Sequence, residues 1–386
     1  MEEYQPNQHK LKLLESLKKA SKALQTKPIH IYIYTNLAAI KTFLELQTQL
    51  DTALSTDPSL SNLSQSLSNL KTQLTNLQNS QDYNLVSFFR RQIANYEISK
   101  ICGTIENEAQ AWIDQESIKE LAQVLQESND EEEKIKVLTQ FEKRVSNGFD
   151  RDLQEMILKA KVFPLLESIV SKSKCSKRVC ETSARAIVAL VRFNKDVFTG
   201  LVLMGPIIRT LVLMDSCGSV RVISSLVKLI KSPLVYEMEV NGYILRIISL
   251  LNSNDFSLQA SVLECVLELA YFTRREAVEE MIQEGLIRRL VELQRVETKV
   301  EMGECDGEEM GSKMESEEWG FAEDFPFSGC VTRFVVNLEM GEGLEMGEKR
   351  QLKQEILRRA REASVSEAEA TSLVTEVLWG SSPLLH

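Results

Sequence analysis

The side chains that most often carry out catalysis are few and scattered in this sequence. Its three histidines, His9, His30 and His386, lie far apart in the chain, and none is near a candidate nucleophile. No glycine-rich phosphate loop is present, because the glycines at 303 and 307 lie among acidic residues that would repel phosphate. The sequence therefore predicts no catalytic site and no cofactor, and we expect the protein not to be an enzyme.

Cysteine is the other residue type with reactive potential. Cys175 and Cys180 are five residues apart and have basic residues beside them. A basic residue close to a thiol lowers the pKa of that thiol. The flanking basic residues are Lys174, Lys177 and Arg178. A zinc site needs four ligands, however, and the pair has neither a CxxC motif nor an adjacent histidine. We therefore predict a structural role for this pair and no metal site. Core positions are predicted for three cysteines in helical patterns: Cys102, Cys217 and Cys265.

Charged residues at helical spacing are the strongest candidates for binding. Arg185 and Arg192 are seven residues apart, as are Arg221 and Lys228, so each pair lies on one helix face. Stacked side by side, two such helices form a basic patch suited to an acidic extended peptide, with arginine providing bidentate bonds. The alternative is a solvated helix surface. The candidate binding row is Arg185, Arg192, Arg221, Lys228, Glu264, Glu268, Arg333 and Asn337.

A repeat places these residues on helices. Four similar apolar segments begin at Lys161, Gly205, Gly242 and Gly285, with spacings of 44, 37 and 43 residues. A period near 40 with helical patterning is typical of a helical solenoid of the armadillo or HEAT type. Each repeat is predicted to hold a first, a second and a longer third helix, with the third helices lining a concave groove.

Upstream of the repeats, the sequence predicts a bundle of long helices. Apolar stripes of helical spacing predict helices at residues 10–25, 29–55, 60–77 and 83–113. The third of these has leucines at steps of three and four, which also fits a coiled-coil dimer, although packing within the chain is the simpler interpretation. Ser117 and Glu120 match a capping box that would open the next helix. We therefore predict two domains, 1–113 and 114–380.

The composition changes sharply near the end of the repeats. Residues 301–324 contain ten acidic residues and one lysine without periodicity, which predicts a disordered acidic insertion at 301–325 inside the last repeat. Such an insertion would either fold over the basic groove as an internal competitor or act as a solubilising segment. Two further helices, at 348–363 and from 366 onward, are predicted to cap the end of the solenoid.

Overall composition excludes several classes of protein. A net charge of -11 argues against binding to nucleic acid, which needs clustered lysine and arginine. Seven cysteines without a dense framework predict reduced thiols and a cytoplasmic or nuclear location. The most apolar run, 197–214, is interrupted by glycine, proline and arginine, which predicts two buried helices meeting at a turn. The polar N-terminus does not resemble a signal peptide.

The repeats resemble those of the armadillo superfamily. The turns at Gly205-Pro206 and Glu284-Gly285 and the small residues of the third helix, such as Ala184 and Ala189, carry this resemblance. Helices followed by armadillo repeats are similar to plant U-box ubiquitin ligases and their relatives without a U-box. The resemblance implies a scaffold or adaptor that binds protein partners along the concave groove.

The sequence departs from these armadillo families at two features, and each departure limits the functions that the resemblance implies. A U-box carries a Cys-Pro-Ile stretch, and no cysteine here precedes proline, so a ligase activity of that type is not supported. Importin-like relatives carry a ladder of asparagines on the third helices, whereas the matching positions here hold Arg192, Lys228, Glu268 and Asn337. Two alternatives stay open beside the scaffold: an accessory, substrate-presenting component of ubiquitin ligation, and a membrane-associated helical bundle.

Overall fold

The computed structural model describes residues 4–26, 60–79, 85–171, 175–301 and 326–379. The regular elements in these ranges are helices, which confirms the predicted all-α fold. The chain divides into two compact units. The N-terminal unit holds Met1–Glu127 and Asp150–Val162, and the C-terminal unit holds Ser128–Phe149 and Phe163–His386.

In the N-terminal unit, two helices pack along a third, longer helix. These are α1 (Tyr4–Thr26), α2 (Ser61–Asn79) and α3 (Leu85–Glu127). The leucines of α2 at positions 63, 67 and 70 are buried in one cluster with apolar residues of α1 and α3. The leucine seam therefore packs within the chain. The helix predicted at 29–55 lies outside the described residues.

The predicted capping box at Ser117 and Glu120 is wrong, because both residues lie inside α3. Ile118, Leu121 and Leu125 continue the apolar spacing of three and four residues, and they are buried. No proline or glycine interrupts the helix there. Backbone N–H groups within a continuous helix already bond to the carbonyls four residues earlier, so the Ser117 hydroxyl has no free donor to cap. The predicted domain boundary after residue 113 also falls inside this helix.

The C-terminal unit begins with a helix whose start was predicted from its charged turn. Helix α4 (Glu131–Val145) is capped by Asp130, whose carboxylate accepts a hydrogen bond from the Glu132 N–H at 3.0 Å. Three acidic residues in its first turn and two basic residues in its last turn complement the helix dipole. The next helix, α5 (Arg151–Lys159), packs on α3 and belongs to the N-terminal unit.

The remaining helices follow the predicted order of first, second and third helix. The bounds are α6 Val162–Ser171, α7 Lys177–Phe193, α8 Lys195–Met204, α9 Ile207–Leu213, α10 Cys217–Ile230, α11 Ser232–Val240, α12 Tyr243–Ser249, α13 Phe256–Phe272, α14 Arg275–Gln283, α15 Leu286–Glu301 and α16 Cys330–Met340. The third helices α7, α10, α13 and α16 pack side by side in that order. Helix α4 packs against α7 in the same way, so it extends the layer by one helix that the repeat pattern did not predict.

The four similar segments begin at the turn before each second helix. Lys161, Gly242 and Gly285 have φ angles of 52°, 67° and 88°, the left-handed conformation that favours glycine. Gly205 instead has an extended backbone with φ of -91°, because Pro206 follows it. A Cβ atom on Gly205 would lie 2.9 Å from the Leu201 carbonyl oxygen, so that turn needs glycine for close approach.

Two helices follow the last repeat. Helices α17 (Met346–Ala363) and α18 (Glu367–Trp379) pack on each other and on the last repeat. Arg295 of α15 binds the Glu369 carboxylate at 2.7 Å, and its Nη2 donates to the Ala363 carbonyl at 2.9 Å. Because α16 occupies the third-helix position beside α13, the acidic segment interrupts the last repeat, although residues 302–325 lie outside the described ranges.

The most apolar run forms two helices and not one. Helices α8 and α9 together reach the length and composition of a membrane span, but they are bent by 61° at the Gly205-Pro206 turn. In the described ranges, no helix alone is long and apolar enough to cross a bilayer. Phe198, Val202 and Ile207 are fully buried in the unit, which confirms the interpretation of two buried helices meeting at a turn.

Two glycine substitutions separate backbone strain from packing. An added Cβ meets nothing within 4 Å at either Gly285 or Gly200. Gly285→Ala forces alanine into the left-handed region, so we expect a loss of about 1 kcal/mol in unfolding free energy. Gly200→Ala lies within α8 and should gain about 0.5–1 kcal/mol through helix propensity. Urea unfolding followed by circular dichroism measures both; equal effects would contradict the assigned backbone conformations.

Candidate functional site

Helix α4 and the third helices α7 and α10 enclose an open concavity of about 830 Å³. Small or apolar residues line its floor, including Val188, Ala189 and Val222. Its walls carry five basic side chains and two acidic ones. These are Lys143, Arg178, Arg185, Arg192 and Arg221, with Glu142 and Glu181. The predicted groove between third helices is therefore present, and we call this concavity the groove.

Polar contacts join each third helix to the next at matching positions. The Lys228 ammonium lies 3.1 Å from a Glu268 carboxylate oxygen, and Arg221 Nε donates to the Ser261 hydroxyl at 3.1 Å. The Arg333 guanidinium binds Glu264 and donates to the Pro326 carbonyl at 2.7 Å. In each case the two residues hold equivalent positions on neighbouring helices. These contacts place Lys228 beside Glu268, and Glu264 beside Arg333, in one register across α10, α13 and α16.

The same kind of contact joins α4, α7 and α10. Arg185 Nε lies 3.8 Å from a Glu142 carboxylate oxygen of α4, and both side chains are about one-quarter exposed. The Ser216 hydroxyl donates to the Glu181 carboxylate at 2.6 Å. A Cβ atom at residue 218 would lie 2.3 Å from the Glu181 carboxyl carbon, so a side chain there would displace the Glu181 carboxylate. We call the pairs Arg185–Glu142, Lys228–Glu268 and Arg333–Glu264 the ladder.

The ladder changes the expected charge of the predicted binding row. Arg185 and Lys228 are ion-paired, and Glu264 and Glu268 are the acids that bind Arg333 and Lys228. Asn337 donates to the Arg333 carbonyl of its own helix at 2.9 Å. The row therefore does not form a continuous unpaired basic patch. Its role in partner binding stays a prediction.

Two arginines of the row keep their charge available. Arg192 is exposed, and in the part of the chain that the structure describes neither Arg192 nor Arg221 has an ion pair. The Arg221 guanidinium donates to the neutral Ser261 hydroxyl. Sequence reasoning missed Glu142 as a groove residue, because helix α4 lies outside the repeat period. The charged break at residues 128–133 predicts a helix that ends at Val145, but it does not predict the neighbour of that helix.

The cysteines behave as structural residues. Burial raises the pKa of Cys180 to about 11, and its thiol donates to the Ile169 carbonyl at 3.5 Å. Burial also raises the pKa of three other thiols, each to about 12: Cys102, Cys265 and Cys330. Cys102 and Cys265 are buried as predicted, whereas Cys217 is half-buried and faces the groove. Its sulfur lies 3.0 Å from the Ser261 hydroxyl.

No protein-family model and no curated protein matches this chain. Similar solved structures include a designed armadillo repeat protein, with 14% identity, 68% of this chain and 99% of that chain covered, and a TM-score of 0.43. Another is a designed armadillo repeat protein in complex with the peptide (KR)4, with 14% identity, coverage of 69% and 98%, and a TM-score of 0.44. An engineered protein shares 15% identity over 94% of this chain and 77% of its own, with a TM-score of 0.45.

The helices themselves define the class of fold. The protein is all-α, with an N-terminal helical unit and a C-terminal solenoid of the armadillo type, in which short first and second helices precede a longer third helix. The resemblance to plant U-box relatives stays a prediction.

The ladder is expected to stabilise helix stacking in proportion to its burial. We expect a double-mutant cycle on Glu264→Gln and Arg333→Gln to give a coupling of about 1 kcal/mol, because both side chains are only about one-third exposed. The Arg178–Glu132 pair joins α4 to α7 but is about two-thirds exposed, so its coupling should be near 0.3 kcal/mol. Urea denaturation measures both cycles. Equal couplings would show that burial does not control these contacts.

Thiol labelling tests the burial of the cysteines. At pH 8 the four thiols with raised pKa hold little thiolate, so we expect Cys102, Cys180, Cys265 and Cys330 to resist a disulfide reagent in the folded chain. Cys175 and Cys217 are half-buried and should react first. Mass spectrometry of labelled peptides gives the order, and urea-unfolded protein provides the control. Early labelling of Cys265 would contradict the packing of α13.

Proposed function

We propose that this protein is a non-enzymatic scaffold that binds an extended, acidic segment of a partner protein in the groove. One observation carries the proposal. Arg192 and Arg221 line the groove without a carboxylate partner among the described residues, whereas the neighbouring charges are paired in the ladder. An unpaired guanidinium beside a recess offers charge-assisted, bidentate bonds to an incoming carboxylate.

The surroundings of these arginines suit a peptide. Hydroxyl groups of Thr139, Thr182 and Ser225 line the same groove and can bond to a peptide backbone. The whole chain carries a net charge of -11, so a locally basic groove stands out against an acidic surface. Such a contrast attracts acidic segments to one place and repels them elsewhere.

The remaining features of the proposal concern location and excluded partners. The described cysteines are free thiols, which supports a reducing compartment such as the cytoplasm or the nucleus. The proposal does not extend to nucleic acid, because the acidic balance provides no broad surface for phosphate contacts.

Charge reversal in the groove tests this function. We expect Arg192→Glu combined with Arg221→Glu to weaken binding of a fluorescent alternating Asp/Glu peptide by about tenfold or more, because two attractive contacts become repulsive. Fluorescence anisotropy at two salt concentrations measures the effect. Arg209→Glu is the matched control, because Arg209 is exposed on the second helix α9, away from the residues that line the groove.

The same variants can be compared in affinity purification from native cells, after circular dichroism confirms folding. Loss of one partner set with the groove variant, and its retention with Arg209→Glu, would agree with the proposal. Identical peptide affinities for all three proteins would refute it.

A further inference from the structure

Three helices each place one cation in the groove that has no ion pair in the part of the chain that the structure describes. They are Lys143 of α4, Arg192 of α7 and Arg221 of α10, and all three line the groove. Lys143 is exposed and lies in the last turn of its helix. We call these residues the three cations. An anion in the groove can therefore be bound from α4, α7 and α10 at once.

The other charged side chains of the groove are engaged. The Arg178 guanidinium lies 2.6 Å from a Glu132 carboxylate oxygen, and Arg185 Nε lies 3.8 Å from that of Glu142. Glu181 accepts a hydrogen bond from the capping serine of α10 at 2.6 Å, and in the described ranges it has no salt bridge. The three cations and this one unpaired carboxylate leave the groove with an excess of two positive charges.

Contacts between the helices arrange the three cations around one part of the floor. The ladder pair of α4 and α7 places Ser146, one turn beyond its acid, level with Ala189, one turn beyond its arginine. The contacts of Glu181 with the start of α10 place Ser225 level with Ala189 on the other side, because both residues lie about two turns further along. The cations of α4 and α10 lie about one turn before this row, and that of α7 lies about one turn after it.

The hydroxyl groups of the groove do not donate to an anion there, because their hydrogens are already engaged. Each of the four donates to the carbonyl oxygen four residues earlier, at 2.8–2.9 Å. These are Thr139, Ser146, Thr182 and Ser225. Their remaining lone pairs accept hydrogen bonds from N–H groups. The groove therefore binds an anion through its cations, and its hydroxyl oxygens are acceptors for the main chain of a peptide.

We infer that the acidic segment of the partner carries a phosphorylated residue, whose phosphate group is bound by Lys143, Arg192 and Arg221. This inference rests on the proposed function. A phosphorylated side chain carries about -1.5 to -2 charges and three strong acceptor oxygens, so it matches the excess positive charge and can bond to each of the three cations. A carboxylate has one charge and two oxygens, so it leaves part of this charge unmatched.

The hydroxyl oxygens favour a phosphate that is attached to a peptide. An extended peptide brings a main-chain N–H group about every 3.3–3.4 Å on both sides of the phosphorylated residue. An inositol phosphate has no N–H group, so Ser146 and Ser225 would receive no hydrogen bond from it. The partner is therefore expected to bind in its phosphorylated form, which makes the interaction dependent on a kinase.

Three fluorescent peptides test this inference on the full chain. They share one neutral sequence of Ala, Gly and Asn and differ only in the central residue, which is phosphoserine, glutamate or serine. We expect the phosphoserine peptide to bind about tenfold more tightly than the glutamate peptide, because it makes an additional charge-assisted bond. Fluorescence anisotropy measures the three affinities beside that of the alternating Asp/Glu peptide.

Substitution of the lysine locates this gain. Lys143→Gln should reduce the preference for phosphoserine over glutamate about fivefold or more, because one of the three cations is lost. Lys136→Gln is the matched control, because Lys136 is exposed on the same helix and does not line the groove. Circular dichroism confirms that both variants fold.

Two further probes identify the source of the phosphate. An ester oxygen in place of the N–H that follows phosphoserine should weaken binding about threefold or more, because a donor to the groove hydroxyls is lost. Inositol hexakisphosphate is the competitor without N–H groups. Its displacement of the phosphoserine peptide at an equal or lower concentration would assign the site to a soluble phosphate compound and overturn the inference.

The outcomes separate this inference from the proposed function. If the alternating Asp/Glu peptide binds through Arg192 and Arg221, but phosphoserine gives no gain over glutamate, the inference is overturned and the proposed function stands. A gain that Lys143→Gln leaves intact would also overturn the inference. If neither the alternating Asp/Glu peptide nor the phosphoserine peptide binds, the proposed function itself fails.

Discussion

Lateral packing of the third helices is the constraint on which the C-terminal unit depends. A single repeat of three short helices cannot bury its apolar face alone, so each repeat needs the next one. The layer formed by α4, α7, α10, α13 and α16 provides this burial, and small residues such as Ala184, Ala186 and Ala189 allow the close approach. The ladder lies on this layer and joins neighbouring helices at matching positions.

This packing also decides which charges are available for binding. A lysine or arginine that meets a carboxylate on the neighbouring helix contributes to stacking, and its charge is largely cancelled for any visiting ligand. Arg185 and Lys228 meet a carboxylate on the adjacent helix, whereas Arg221 meets the Ser261 hydroxyl. The layer of third helices therefore carries unpaired basic side chains on α7 and α10, and its charges on α13 and α16 are paired. The difference in charge between these parts of the layer arises from ordinary helix stacking.

The ends of the layer show how the fold protects its exposed faces. At one end, α4 covers α7 without being part of a regular repeat, and Asp130 caps its start. At the other end, α17 and α18 cover the last repeat. Arg295 of α15 donates to the Glu369 carboxylate of α18 and to the Ala363 carbonyl at the end of α17. The interruption of the last repeat by an acidic segment leaves α16 in its expected position, because its contacts with α13 form through side chains and not through the connecting loop.

The sequence by itself determined the helical class, the repeat and most helix positions, because periodic apolar residues and glycine or proline turns act locally. The turns before the second helices and the buried pair α8 and α9 followed from such signals. The sequence pattern wrongly predicted a helix start inside α3, because Ser117 and Glu120 match a capping box although the helix continues through them. Only the tertiary structure decided the membership of α4 in the third-helix layer and the pairing of the charged row. These depend on which side chains face each other across helices some 40 residues apart in the chain, as Lys228 and Glu268 do. Helical spacing shows the face on which a charge lies, but the neighbouring helix determines whether that charge is paired or available.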